Sequence, residues 1–331
     1  MFKKMYCGFG SLVRHAPRIY NYFYYKKNRS TSFKDYCTRS TRALRKLARY
    51  IDISKASLII STFPICTGYV ARYKQSFMNS LPLITCITDI VDGNEWLYEG
   101  NDIYCVPVDE IKERLISKGV HESEVVVTGI PVRRGFVEGC GRASVRERMG
   151  YGPHDLVILI MGGRHGLIPE DDAFYRWLDQ RKNVYTTVVT GNNKSVHDKL
   201  VNNTFESVRV VTHTNEVAAL MRSADLLVTK PGGVTVFEAI ASKLPFIAYQ
   251  PTLGQEIENC KFIERQRIGV VAHDMGGLVE SMDDMMRNEK RREDFRQKLS
   301  GLTREMDMAG MATTMLSRYY DNKHATTRNG A

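Results

Sequence analysis

The segment Val228-Thr-Lys-Pro-Gly-Gly-Val-Thr-Val-Phe-Glu-Ala-Ile-Ala-Ser-Lys-Leu-Pro-Phe-Ile-Ala-Tyr-Gln-Pro-Thr-Leu-Gly-Gln-Glu-Ile-Glu-Asn259 holds two strand-loop-helix units in succession. Leu226, Leu227 and Val228 end a buried strand, Pro231-Gly232-Gly233 makes a turn, and a helix opens at Val234 with Glu238 and Ala239 on its first turns. Glycines in the turn let a ligand approach the backbone closely. The helix behind them directs backbone N–H groups and the positive end of its dipole into the loop, a place for phosphate. The second unit is a short strand from Leu244 to Tyr249, a loop from Gln250 to Gln255, and a helix carrying Gln255, Glu256 and Asn259. An anion cradle beside a cluster of hydroxyl-binding side chains points to a nucleotide sugar. An ordinary Gly-rich turn with a solvated Glu and Gln has the same spacing.

Toward the N-terminus the alternation continues. The apolar run Leu156–Met161 leads into Gly162-Gly163-Arg164-His165-Gly166, another Gly-rich strand-to-helix loop. With strands at 184–190, 208–212, 225–229, 245–249 and 269–272 it predicts a six-stranded doubly wound unit. Earlier still, Leu44, Leu47, Ala48 and Ile51 fall at helical spacing in a helix from Thr38. Strands at 57–62, 83–88, 102–106 and 124–128 alternate with helices over 65–78 and 109–118 and predict a second parallel sheet. A Gly- and Arg-rich linker is expected near 135–152. After Met275 the sequence reads as helix to about Tyr320, with the tail from Asp321 expected to be disordered. The expected domains are residues 1–140, 141–305, and a C-terminal helix and tail over 306–331.

A chain of 331 residues has room for two cores. No run of about 18 apolar residues occurs, and Lys3 and Lys4 are not followed by an apolar block with a cleavage site, so neither a spanning helix nor a secretory signal is expected. Seven cysteines (Cys7, Cys37, Cys66, Cys86, Cys105, Cys140, Cys260) lie dispersed without Cys-x-x-Cys spacing. That pattern argues for free thiols in a reducing cytosol and against zinc. Asp171-Asp172 and Asp283-Asp284 read as solvated helix faces, not as a metal-holding pair. Residues 1–50 contain thirteen Lys or Arg and one acid, Asp35, a net +12 that leaves the rest of the chain at −2. Tyr20, Tyr22, Phe23, Tyr24 and Tyr25 interleave with these cations. The combination suits an anionic membrane surface, single-stranded nucleic acid, or a solvated helix pair whose tyrosines pack on the domain.

Lys230-Pro-Gly-Gly-Val-Thr-Val-Phe-Glu-Ala239, Leu244-Pro245 and Gly254-Gln-Glu-Ile-Glu-Asn259 closely resemble the donor-site signature of glycosyltransferase family 28. Gly129-Ile-Pro-Val-Arg133 resembles the family's domain-closing motif. The look-alikes are diacylglycerol glucosyl- and galactosyltransferases, with the bacterial enzyme that adds N-acetylglucosamine to lipid I more distant. The resemblance runs from the basic N-terminal region to about Ser300. It implies an α/β GT-B fold, two Rossmann-like doubly wound domains facing a cleft. The activity implied is metal-independent, inverting transfer of a hexose from UDP-glucose or UDP-galactose to a membrane lipid, diacylglycerol, at the cytoplasmic face of the membrane. It implies no nucleic-acid partner and no cofactor beyond the UDP-sugar substrate.

Residue by residue, the resemblance implies that Glu238 holds the ribose hydroxyls, while Gly232, Gly233 and Thr235 contact the diphosphate. Gly162 and Gly163 would lie near that diphosphate, and the backbone at His213-Thr214 would meet the uracil. Gln255 and Glu256 would read the sugar, and Asn259 would brace their loop. The family's Gly-x-Gly-His loop has no counterpart, since Gly8-Phe-Gly10 with His15 has the wrong spacing. On the order of 50 residues, one βα unit, are expected to be absent from the start, leaving the N-terminal domain incomplete. Ile90-Val-Asp-Gly-Asn-Glu-Trp96 lacks the family's histidine, so Asp89 at a strand's carboxyl end is the remaining candidate base. A buried helix-capping Asp would read the same way. The alternatives are a truncated, non-catalytic UDP-sugar- or membrane-binding protein, and another GT-B sugar-nucleotide enzyme such as a UDP-N-acetylglucosamine epimerase.

Overall fold

The computed structural model describes residues 40–305, with isolated positions at 18, 21, 22, 25, 313, 316 and 317. Most of the basic aromatic segment, Gly8-Phe-Gly10 with His15, and the tail from Asp321 lie outside the described residues. The chain forms two compact units that part at Pro131–Val132, with residues 252–255 grouped with the first.

In the first unit four parallel strands lie in chain order: β1 (Ile59–Ser61), β2 (Leu83–Cys86), β3 (Ile103–Val106) and β4 (Val125–Val127). Register pairs Ile84 with Ile103 and Tyr104 with Val125. Every residue of β2 and β3 is buried, as expected of a parallel sheet covered on both faces. Helix α1 (Thr41–Ser54) sets Leu44, Ala48 and Ile51 against Tyr73 of α2 (Pro64–Ser76). Val70 and Ala71 of α2 pack on Leu83 and Tyr98. Gly68 permits this, because a Cβ there would stand 2.6 Å from the Tyr98 ring. Asp102 fastens the start of β2, accepting from the Leu83 amide at 2.6 Å and pairing with Lys74 at 2.5 Å. Helix α3 (Asp109–Ser117) completes the described unit. Among the described residues the winding of this sheet runs in one direction.

The second unit is a six-stranded parallel sheet: β5 (Leu156–Met161), β6 (Val184–Val189), β7 (Val208–Val211), β8 (Leu226–Thr229), β9 (Phe246–Tyr249) and β10 (Val270–Ala272). Their order is β10-β9-β8-β5-β6-β7. The chain moves outward from β5 to β7, returns to the other side of β5, and moves outward again. Ile158, Ile160, Leu226, Val228 and Ile247 form one apolar cluster with α6 (Asp172–Asp179), α7 (Lys194–Val201) and α11 (Met275–Arg287). Asp171 caps α6, accepting from the Ala173 amide, and Asp283 pairs with Arg181 and Arg287.

Residues 135–152 are not a linker. They include α4 (Arg134–Val137) and α5 (Arg142–Arg148), whose arginines serve the core. Asp225, at the start of β8, receives Arg142 at 2.6 Å, Arg146 at 3.0 Å and Arg296 at 3.1 Å, and accepts from the Val157 amide at 2.9 Å. Arg146 also donates to the carbonyls of Gly152, Asp155 and Ser223. Removing one partner of a buried ion pair strands the other charge. Asp225→Ala is therefore expected to destabilise this unit by about 3 kcal/mol in urea denaturation. A loss under about 1 kcal/mol, the level of an exposed pair, would show that the cluster is merely superficial.

The long C-terminal helix is interrupted as well. Asn288 leaves helical geometry after α11 (φ −107, ψ 86), and its side chain accepts from the Arg291 amide to start α12 (Glu289–Glu305). Thr303 of α12 donates to the Ile240 carbonyl at 2.9 Å. No helix among the described residues is long and apolar enough to cross a membrane.

Candidate functional site

In an open parallel sheet, ligands bind beyond the carboxyl ends of the strands where the winding reverses. In the second unit that point lies between β5 and β8, which pair as neighbours over Ile158–Met161 and Leu226–Thr229. A cavity of about 570 Å³ opens there. Arg133, Arg164, His213, Thr214, Thr235 and Glu238 are among the residues lining it.

The loop after β5 is shaped by its glycines. Gly163 and Gly166 have φ of +64° and +58°, a region that side chains rarely adopt. A Cβ at Gly162 would collide with the backbone of Leu167. The folded loop is tied to the one after β6: the Asn192 amide donates to the Arg164 carbonyl at 2.9 Å, and Asn193 Nδ2 to the Gly166 carbonyl at 3.1 Å. Gly191 also needs its positive φ, and a Cβ there would crowd the Gly163 carbonyl at 2.6 Å.

The loop after β8 differs. Gly232 is the N-cap of α9 (Gly233–Ala241), with an ordinary φ of −75° and no atom within 4 Å of where a Cβ would stand. Neither backbone geometry nor packing calls for glycine here, which leaves room on the outer side of the turn as its physical use. Gly232 offers no side-chain cap, and no acid stands in the first turn of α9. The dipole's positive end is thus uncompensated by a local carboxylate.

Glu238 lies on α9 with 8% of its surface exposed, and it lines the cavity. Burial raises its pKa to about 7, while the positive charge of Arg133, with Nη2 4.0 Å from Oε1, draws it down. A carboxylate held in this way accepts two hydroxyls well. Thr214 turns the chain ahead of α8 (Val217–Ser223) by accepting from the Glu216 amide at 3.0 Å.

Behind the Gly-Gly turn stands α10 (Gly254–Gln266). Asn259 is fully buried and donates from Nδ2 to the Pro231 carbonyl at 2.9 Å. Glu256 is buried and pairs with Lys230 at 2.6 Å. Both side chains fasten the turn to the helix, and neither lines the cavity. One carboxylate oxygen of Glu256 is thus engaged by the ammonium of Lys230, from the turn after β8. Gln255 groups with residues 252–254 in the first unit. Asp89 is half-buried in the irregular loop after β2, and the next helical turn, Asn94–Trp96, is entered through Gly93.

Sequence reading missed Gly191, Asn192, Asn215 and a lining role for Arg133 and Arg164. The first three follow β6 and β7 without a recognisable motif. Their one usable signal was position, at the carboxyl ends of strands flanking the reversal. Among the described residues no three His, Cys, Asp or Glu gather into a metal-holding group.

Comparisons with known proteins extend this picture. The family described as Monogalactosyldiacylglycerol (MGDG) synthase matches residues 2–132, and Glycosyl transferases group 1 matches residues 172–299. A processive diacylglycerol beta-glucosyltransferase of Bacillus licheniformis is 28% identical over 290 residues, 87% of this chain and 75% of that protein. Staphylococcus aureus MnaA, solved with UDP, superposes with a TM-score of 0.64 at 14% identity, covering 85% of this chain and 80% of the other. MurG of Acinetobacter baumannii gives 0.58 at 13% identity, covering 86% and 82%. At such identities the two structures speak for the fold alone, and that fold is GT-B. The N-terminal part is thus similar to the MGDG synthase family and the C-terminal part to glycosyl transferases group 1, so both parts resemble glycosyltransferases.

Proposed function

We propose that this chain transfers a hexose from UDP-glucose or UDP-galactose to a hydroxyl of diacylglycerol, with inversion at the anomeric carbon. The carrying observation is the cavity at the β5–β8 reversal, which combines Gly163 and Gly191, Thr235 on the first turn of α9, a buried carboxylate and two arginines. In this reading the diphosphate lies against Gly232, Gly233 and Thr235, with Gly162 and Gly163 close by. Glu238 accepts the ribose hydroxyls, and the backbone at Thr214 meets the uracil. Gln255 reads the sugar, while Glu256 and Asn259 hold the turn.

The acceptor oxygen attacks C1 of the hexose as the bond from C1 to the β-phosphate oxygen breaks. The electron pair leaves with UDP, and the hydroxyl proton passes to the Asp89 carboxylate. Amide dipoles of α9 and the guanidinium groups of Arg133 and Arg164 stabilise the charge that develops on the diphosphate. Incubation with radiolabelled UDP-glucose and UDP-galactose on diacylglycerol-containing vesicles tests the proposal. Labelled glycolipid is expected, and it should be absent with Glu238→Ala. UDP binding without any transfer would instead mark a nucleotide-sugar-binding protein.

Docking on an anionic, cytoplasmic membrane face through the first fifty residues belongs to the same reading. Supporting it, Arg42, Arg45, Lys46 and Arg49 follow helical spacing on the exposed face of α1 and line a shallow hollow of about 410 Å³. In the same unit Phe77 and Met78 project into solvent, Met78 with 95% exposure. Each cation near an anionic surface contributes about 1 kcal/mol before screening. Changing the four to glutamine is expected to weaken sedimentation with phosphatidylglycerol vesicles roughly ten- to fiftyfold. Unchanged sedimentation would remove α1 from the contact.

A further inference from the structure

We infer that Tyr50, Ile53, Phe77 and Met78 form an insertion element that enters the acyl layer of a bilayer, with Asn79 holding its tip in shape; this rests on the membrane docking proposed above, to which it adds depth. All four side chains face water, Tyr50 with 72%, Ile53 with 71% and Phe77 with 52% exposure, and Met78 almost fully. Tyr73 of α2 gathers them. It clusters with Leu44, Ala48 and Ile51 of α1, its ring lies 5.1 Å from that of Phe77, and its hydroxyl bonds to the Asp52 carboxylate. The last turn of α1 therefore stands beside the end of α2. On the exposed face of α1, Ile53 extends the row of Arg42, Arg45, Lys46 and Arg49 by one turn, so a basic stripe runs into an apolar end.

Met78 is the residue that folding does not explain. Its φ of +46° lies in the region that favours glycine. It follows the cap of α2, where the Phe77 amide donates to the Tyr73 carbonyl at 3.0 Å and the Asn79 amide reaches back to the Lys74 carbonyl at 2.9 Å. Helices that end in this way commonly carry glycine at that position. A methionine there strains the backbone and returns no packing, because its side chain is in water. Asn79 keeps the turn in place: Nδ2 donates to the Tyr73 hydroxyl at 3.2 Å, and Oδ1 accepts from the Leu81 amide at 2.7 Å. An apolar tip already held outward loses little freedom on entering lipid. The four cations match an anionic headgroup layer, where their long stems let them stay while the apolar end goes deeper. That charge commits the surface to an anionic bilayer.

Vesicles of phosphatidylcholine mixed with phosphatidylglycerol test this on the full chain as wild type, Met78→Gly, Ile53→Gln and Met78→Trp. Met78→Gly and Ile53→Gln should each weaken sedimentation about five- to tenfold, and together about twenty- to hundredfold. The Tm of Met78→Gly should hold or rise, because glycine relieves the strained turn. In Met78→Trp, emission on vesicle binding should gain a blue-shifted component that lipids brominated on the acyl chain quench, with wild type and its Trp96 and Trp177 as the reference. Sedimenting protein whose added tryptophan is not quenched, a Met78→Gly variant that binds like wild type, or a lower Tm in that variant would each overturn the inference. So would a wild type that is dimeric in solution and monomeric as Met78→Gly, which would seat a second copy of the chain on this surface. Wild type that does not sediment at all overturns the docking reading itself, and the insertion element falls with it.

Discussion

Glu238→Ala is expected to weaken UDP binding on the order of 10²–10³-fold in calorimetric titration, with the fold retained. A carboxylate accepting two ribose hydroxyls makes two charge-assisted hydrogen bonds, each worth about 1.5–3 kcal/mol. The pH dependence follows from the raised pKa of about 7. Below that value the carboxyl is largely protonated and loses acceptor capacity. Affinity should therefore rise with pH by up to about tenfold per unit until it levels above 7. UDP-glucose is the ligand to use, because its diphosphate has no terminal proton to lose in this range. In Glu238→Gln the profile should be flat.

The same group makes an opposite prediction for stability. Its folded pKa lies above the usual carboxylate value of 4.5, so between pH 4.5 and about 7 the folded state binds more protons than the unfolded chain. Stability from this group is complete below the unfolded pKa and is lost as pH rises through 7, by about 3 kcal/mol at most. Glu238→Gln should thus raise Tm at pH 8 and change it little at pH 4.5. An unaltered UDP affinity in Glu238→Ala would remove this residue from the site, whatever the stability result.

How much of this was legible in the sequence depends on where each residue's partner lies. The strands of the second sheet are continuous apolar runs such as Leu156–Met161 and Leu226–Val228, so their number and alternation could be read directly. The loop after β8 could be read because its glycines and Glu238 sit within seven residues of one another. The roles of Arg142 and Arg146 could not. Beside glycines they look like linker residues, and their partner Asp225 is about 80 positions away. The ion pair of Glu256 with Lys230 was hidden for a similar reason, since its partner stands 26 positions earlier in the chain. The break at Asn288 was hidden because a capping Asn inside a charged run leaves the helical pattern on either side intact.

Gly232→Val separates ligand room from folding, and its expected effect is comparable in size. In most glycines of the two loops the backbone itself requires the residue. Gly166 has a positive φ, and a Cβ there would collide with the Thr190 carbonyl, so Gly166→Ala should cost stability and binding together. At Gly232 the backbone is extended (φ −75, ψ 140), a conformation that valine favours, and a Cβ meets nothing within 4 Å. The N-cap exchange should cost no more than about 1 kcal/mol. The new side chain would nevertheless fill the space from which a diphosphate must reach the amides of α9. UDP affinity is expected to fall on the order of 10²–10³-fold while Tm shifts by only a few degrees. Uridine, which lacks the diphosphate, should bind the variant and wild type alike, because Glu238 and the loop at Thr214 are untouched. If UDP still binds Gly232→Val as it binds wild type, the diphosphate does not lie against this turn, and the donor must be placed elsewhere on the sheet.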